Sequence, residues 1–496
     1  MRSILKYSAI IGVTLCLVAP VVKADDTSLV DAVERKETEK VYHLLASEFD
    51  IDAAQADGMT ALLWATYYDD WELGKRLLNV GADISIENDY GIHALYLACL
   101  NGNAKFVDAL IKKGANPNAS VFDVETALMT ASRTGDLETV ETLIAAGAKV
   151  NKKGRNDQTA AMWAAAEGHT DIVRALIKAG ADIKTPLKRT GFTPFFFAVR
   201  EGHTELVKML LDYGQDVGEV MRPQRSGGKL PKNGTSALIL AIENGHYDLA
   251  VELLHAGADP NDDRTGYAPL HTLTWVRKPD IGESADGDPV PQGSGKRNSI
   301  QFVEELVRSG ADVNKQLSRG RKANGARFGM VGATPFFLAA DRADLEYMKL
   351  LVKLGADPFI PNIDGTTPLM VAAGIGSSAP EEEAGDEMEC LAAVKYLVEK
   401  HAANVNTVDK RGETAMHGAA YKNIPAVVFY LAKQGADIKI WNKNNKLNRT
   451  PLLIAEGYRP GNFKPSFETV EAIIKVMLAE GVEPPKGPKP HHSNYN

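Results

Sequence analysis

The chain has 496 residues, 44% of them hydrophobic and 24% charged, with a formal net charge of −8 and only three cysteines. This balance excludes wholesale disorder and a membrane-embedded body, and the acidity argues against specific or non-specific nucleic-acid binding. So few cysteines exclude a disulfide framework.

Residues 1–24 differ in kind from the rest. Arg2 and Lys6 give a basic start, the stretch from Tyr7 to Val22 is apolar, and Val22-Lys23-Ala24 supplies a cleavage site. This predicts a signal peptide removed after Ala24, and hence a periplasmic or secreted protein. The apolar run falls short of the roughly 20 residues a spanning helix needs and contains Pro20, so no stable membrane span is expected. A lipid anchor would need a small residue before Cys16, where Leu15 stands. Losing Arg2, Lys6 and Lys23 takes the formal charge to −11. The remaining cysteines, Cys99 and Cys390, lie too many layers apart to pair in one molecule.

Residues 25–54 read as an N-terminal capping unit. Val41, Leu44 and Leu45 give an apolar helix face, while Glu34, Lys36, Glu37 and Glu39 supply the polar outer surface a terminal unit needs. From 55 to 485 one pattern recurs. Its anchors are Thr60, His93, Thr126, Thr159, Thr193, Ser236, Ala268, Thr334, Thr367, Thr414 and Thr450, and the first three gaps are 33 residues each. Self-similarity at that period marks a stack in which every unit borrows its neighbour's core.

Residues 156–184 show what one unit requires. Thr159 opens a helix with a hydroxyl able to cap first-turn amides, and Ala161, Ala164 and Ala165 are small where helices approach closely. Gly168-His169 interrupts the run, Thr170 starts a second helix, and Ile172, Val173, Leu176 and Ile177 give it an apolar face. Gly180 then stops that helix in a left-handed conformation.

At these positions the chain resembles the ankyrin-repeat family, whose pattern runs Gly-x-Thr-Pro-Leu-His-x-Ala, Gly-His, Leu-Leu, Gly-Ala-Asp-Val-Asn. The matches include Gly365, Thr367, Pro368 and Leu369; Gly412, Thr414 and His417; and Gly310, Ala311, Asp312, Val313 and Asn314. The stretch from Gly266 to Trp275, with long insertions around it, is also similar to exported bacterial ankyrin arrays. The resemblance implies an all-α ankyrin-repeat solenoid of about 11–12 stacked helix pairs, caps included, each with a projecting hairpin loop.

Wider gaps mark insertions near 220–233, 277–298, 316–331 and 375–387. The first and third fall in hairpin loops, the second and fourth between the helices of a unit, so the pattern places them on opposite edges. The hairpin insertions carry Arg222, Arg225, Lys229 and Lys232, then Lys315, Arg319, Arg321, Lys322 and Arg327, without an acidic residue in either run. They either solubilise long loops or grip an anionic surface. The resemblance also implies that the first helices line a concave face, with the residues seven and eight past each anchor pointing outward. Tyr, Trp and Arg dominate interfaces, which selects Tyr67, Tyr68, Arg133, Arg200, Trp275 and Tyr421, together with the loop residues Arg222, Lys229, Lys232, Arg321 and Lys322. Trp275 could equally pack beneath the insertion that follows it.

No chemistry stands out. Gly293-Ser-Gly-Lys296 lacks the earlier Gly and following Ser or Thr of a phosphate loop. His169, His203 and His246 recur at one structural step, and no metal-ligand spacing, nucleophile motif or carboxylate pair is present. The expected protein is a monomeric, non-enzymatic scaffold without cofactor or metal, binding another protein or an anionic surface or polymer. The alternative is a periplasmic helper or inhibitor of another exported enzyme. Residues 486–496, rich in proline, are expected to be a disordered tail.

Overall fold

The computed structural model describes residues 28–46, 50–122, 124–225, 232–282, 290–459 and 464–486. The expected signal peptide, Lys229 and all but the first residue of the expected tail lie outside them. Among the described residues twelve helix pairs follow one another, from Ser28–Glu34 with Thr38–Leu45 to Pro451–Ala455 with Phe467–Ala479. Strand among the described residues is confined to Ser120–Val121 pairing antiparallel with Glu125–Thr126. No helix of the described residues is long and apolar enough to cross a membrane.

These residues form two compact bodies: Met1–Ala164 with Asp171–Asp182, and Ala165–Thr170 with Ile183–Asn496. In the first, Ala61–Tyr67, Ala94–Asn101 and Ala127–Thr134 pack in sequence, and so do their partners Trp71–Val80, Ala104–Lys112 and Leu137–Ala145. In the second, the row of first helices runs without a break from Pro194–Glu201 to Pro451–Ala455. Close stacking favours a small residue in each layer. Ala65, Ala98, Ala131, Ala198, Ala241, Ala339, Ala419 and Ala455, five past their anchors, are wholly buried, and the Ala268 unit, with buried Leu273 at that position, is the exception. Gly74 makes the same demand in the row of second helices, since a Cβ there would lie 2.1 Å from the ring of Phe106 in the next unit.

The anchors cap the first helices. Backbone amides donate to Thr60 Oγ1 (3.3 Å), Thr126 Oγ1 (3.2 Å), Ser236 Oγ (3.4 Å) and Thr334 Oγ1 (3.1 Å), satisfying a helix-end donor that would otherwise be orphaned. His93 serves through Nδ1, which accepts from Tyr96 N at 3.1 Å. Ala268 has no such group, and the Thr159 hydroxyl, expected to cap, has no partner. Gly180 takes the expected left-handed backbone, with φ +88°.

A second ladder joins the loops. Asn261 Nδ2 donates to Gly310 O (2.8 Å) and Asn261 Oδ1 accepts from Asp312 N (2.8 Å); Asn314 repeats this with Gly355 and Asp357 at 3.2 and 2.8 Å. The Asn ending each Gly-Ala-Asp-x-Asn therefore bridges to the next unit. His203 and His246 stand directly before second helices and reach back to the first helix of the preceding unit, their Nε2 atoms lying 3.0 Å from Ala166 O and 2.8 Å from Arg200 O.

The second hairpin insertion does not project freely, against the picture of two separate edges. Asn362 Nδ2 donates to Gly329 O (2.9 Å), Arg411 Nη1 to Arg327 O (3.1 Å) and Arg327 Nε to Ser378 Oγ (3.3 Å). Phe328 packs on Phe337 with ring centroids 5.2 Å apart. The finger is folded back until it meets an insertion that the pattern assigns to the other edge.

Candidate functional site: a cationic and aromatic cleft

Three hairpin loops of the second body converge around a cleft of about 390 Å³ lined by Lys232, Asn233, Arg264, Tyr267 and Arg319. The backbone that positions them is tightly folded. Met221 N donates to Thr235 O (2.8 Å) and Gly234 N to Met221 O (2.9 Å), which fixes the base of the first insertion. Arg319 Nη2 donates to Asp263 O (3.1 Å), carrying the start of the second insertion onto the loop before Ala268.

Lys232 is exposed, and its ammonium lies 4.5 Å from the Tyr267 ring and 5.6 Å from the Trp275 ring. The two rings meet edge to face at 4.9 Å, so the cation sits against their negative faces. Arg264 is not spare. Its Nε and Nη2 bind Asp262 at 2.8 and 2.9 Å, and Nη1 donates to Gly218 O at 2.9 Å. Burial pushes the Asp262 carboxyl up, but this bidentate grip outweighs it and the group ends below its ordinary pKa. Glu243, half-buried, goes the other way: burial raises its pKa more than Lys232 lowers it. The cleft thus presents a cation and the Tyr267 ring to solvent, with the half-buried Trp275 packed against both.

Of the residues singled out from sequence, the structure brings together Lys232 and Trp275. Trp275 packs on Tyr267 and remains half-buried rather than covered. Arg222 is exposed and does not line the cleft. Arg321 and Lys322 are exposed too, with Arg321 over Phe328 at 5.9 Å. In the first body Tyr67 is 53% exposed, and Tyr68 stacks on Trp64 at 5.3 Å under the Lys36 ammonium. Arg133 spans Glu125 (3.0 Å) and the Trp163 ring (5.7 Å). Arg200 pairs with Glu201 (2.7 Å) and covers Phe192 at 4.9 Å.

Tyr421 is a correction. Expected on the surface, it is wholly buried, and its hydroxyl donates to Glu413 Oε1 at 3.1 Å. The reason recurs along the chain: the residue before an anchor touches the residue seven past it, eight positions on. Glu125 meets Arg133, Phe192 meets Arg200, Tyr267 meets Trp275 and Glu413 meets Tyr421. Reasoning from the outward position alone missed Tyr267, though an aromatic residue directly before an anchor was a readable signal.

The family comparisons bear on this layout directly. Residues 29–121 and 128–221 match a family model described as "Ankyrin repeats (3 copies)", 386–432 one described as "Ankyrin repeats (many copies)", and 233–264 and 331–363 "Ankyrin repeat". The chain is built of ankyrin repeats. Similar curated proteins include alpha-latroinsectotoxin-Lt1a of Latrodectus tredecimguttatus, 34% identical over 21% of this chain and 6% of that protein, and human inversin, 27% identical over 37% and 14%. NF-kappa-B inhibitor delta of Mus musculus is 24% identical over 47% of this chain and 68% of its own length. The chain spans well under a fifth of the first two relatives. Among solved structures, the human ASB11 ankyrin repeat domain matches at 20% identity with a TM-score of 0.40, covering 53% of this chain and 98% of that one. The repeats indicate an interaction scaffold, and no catalytic family is indicated.

Proposed function

We propose that this ankyrin array is a non-enzymatic scaffold, exported from the cytoplasm, that captures a protein partner with the first-helix ends and the hairpin-loop edge of its repeats. The observation that carries the reading is Lys232, exposed and seated over Tyr267 and Trp275 at the mouth of the cleft. A cation held on aromatic rings, which a partner would desolvate on docking, is the kind of feature on which interface energy concentrates. It favours a partner presenting carboxylates or another anionic surface. The basic start and apolar run of residues 1–24 support export.

Capture of the partner from a native extract is expected to weaken as ionic strength rises, because exposed charges are screened beyond about 10 Å at 0.1 M salt. Capture that is indifferent to salt removes the cationic edge from the account. Recovery of the full chain only from the cytoplasmic fraction refutes export.

A further inference from the structure

A second cavity, of about 310 Å³, lies where three insertions of the second body meet. Asp280 comes from the loop after Pro269–Arg277, Arg321, Arg327 and Phe328 from the folded-back hairpin, and Gly376 to Ala384 from the loop after Pro368–Ala372. The parts are joined to one another. Ala384 N donates to Asp280 Oδ1 (3.2 Å), Gly282 N to Glu382 O (2.9 Å), and Arg342 to both Asp280 oxygens (3.0 and 3.3 Å). Gly376, at φ +111°, lets the wall pass Phe328, whose ring would be 2.5 Å from any Cβ there.

What remains open inside is a matched set. Lys422 is 6% exposed; its ammonium has three donors but gives one, to Ala384 O, and no carboxylate pairs with it. Ser377, 4% exposed, has a hydroxyl without a partner. Asp341, at the C-terminal end of its helix, lines the same space and makes neither a hydrogen bond nor an ion pair. Burial pushes its carboxyl up to about 6, against the pull of Arg342 and Lys422 and with a further push from Glu383 and Asp280. Glu383 is already spent on Ser378 N (2.8 Å) and Ala379 N (3.1 Å). Arg327 is turned to Ser378.

Buried charges are costly unless paired, and here an acceptor and several donors face one cavity without meeting each other. A simple anion would confront Asp341 and Glu382; a simple cation would confront Lys422. The volume is at the small end of ligand pockets, which run from about 300 to 1,000 Å³, so a compact molecule fits and a polymer does not. The geometry points to a site for a small zwitterion, a free amino acid or a short peptide, with its ammonium on Asp341 and its carboxylate on Lys422 and the Ser377 hydroxyl. This site is separate from the cleft at Lys232, and the inference does not rest on partner capture.

The test is thermal melting and calorimetry of the full chain with each free L-amino acid and diglycine, alongside their N-acetyl and C-terminal amide forms. At least one zwitterion is expected to raise the melting midpoint and bind one to one. Either blocking group is expected to weaken binding about tenfold to a hundredfold, the loss of one charge-assisted contact. Asp341→Asn is expected to abolish the shift, and binding to wild type to fade as the pH falls through the Asp341 value of about 6. The blocked ligands carry the test even if the variant does not fold. No shift with any zwitterion, or an equal shift with blocked forms or inorganic phosphate, overturns the proposal.

Discussion

Glu413 is wholly buried, yet three groups converge on it: one from its own loop, one from the helix that follows and one from the next unit's loop. Tyr421 Oη and Asn445 Nδ2 donate to its Oε1 at 3.1 and 3.0 Å, and Arg411 Nε lies 3.6 Å from Oε2. Burial still dominates and pushes the carboxyl up to about 7 from an ordinary 4.5, despite Arg411. A raised acid binds its proton more tightly in the folded state, so its contribution to stability is fully present below 4.5 and is lost as the pH rises to about 7. Buried His271 and His417, held down to about 4, act in the opposite sense, their contribution being lost as the pH falls from 6.5. Glu413→Gln removes the first effect alone. Urea midpoints of wild type and variant are therefore expected to diverge in the variant's favour between pH 5 and pH 8; a constant difference across that range contradicts the assignment.

At the level of the element, the capping anchors and the wholly buried alanines five residues on were legible because each depends on a local period. The same period predicts which anchor is weak. Thr334→Ala should cost about 1 kcal/mol, the usual value of a helix cap, whereas Ala268→Thr, at a backbone position of the same extended type (φ −84°, ψ 164°), should gain a comparable amount. Chemical denaturation of both variants checks the pair, and a stabilising Thr334→Ala would show that the hydroxyl is not a cap. Other features were not readable locally. Tyr421 looked outward by position, but its cover, Glu413, is charged and gave no sign of burial. The return of the hairpin insertion depends on Arg411 reaching Arg327, 84 residues away in the chain, and no repeat pattern encodes a contact between two irregular segments. The Asn ladder lay in plain view in the Gly-Ala-Asp-x-Asn ending, though its bridging role appears only when neighbouring loops are set side by side.

For the molecule as a whole, the repeats supply a regular frame and the irregular residues supply its chemistry. Within each body, wholly buried alanines and capped helix starts fix the layers. The side chains that vary, Tyr67, Arg133, Arg200 and Trp275 on the first helices and Lys232 with Tyr267 at the loops, are left half-buried or exposed. That division suits an interaction scaffold, whose regular frame leaves the varied side chains available for contact. The most direct measurement is quantitative affinity capture from native extract with wild type, Lys232→Glu and Trp275→Ala, each verified as folded by circular dichroism. The account predicts that a protein retained by wild type is lost with Lys232→Glu and weakened with Trp275→Ala; undiminished capture by both variants would contradict it.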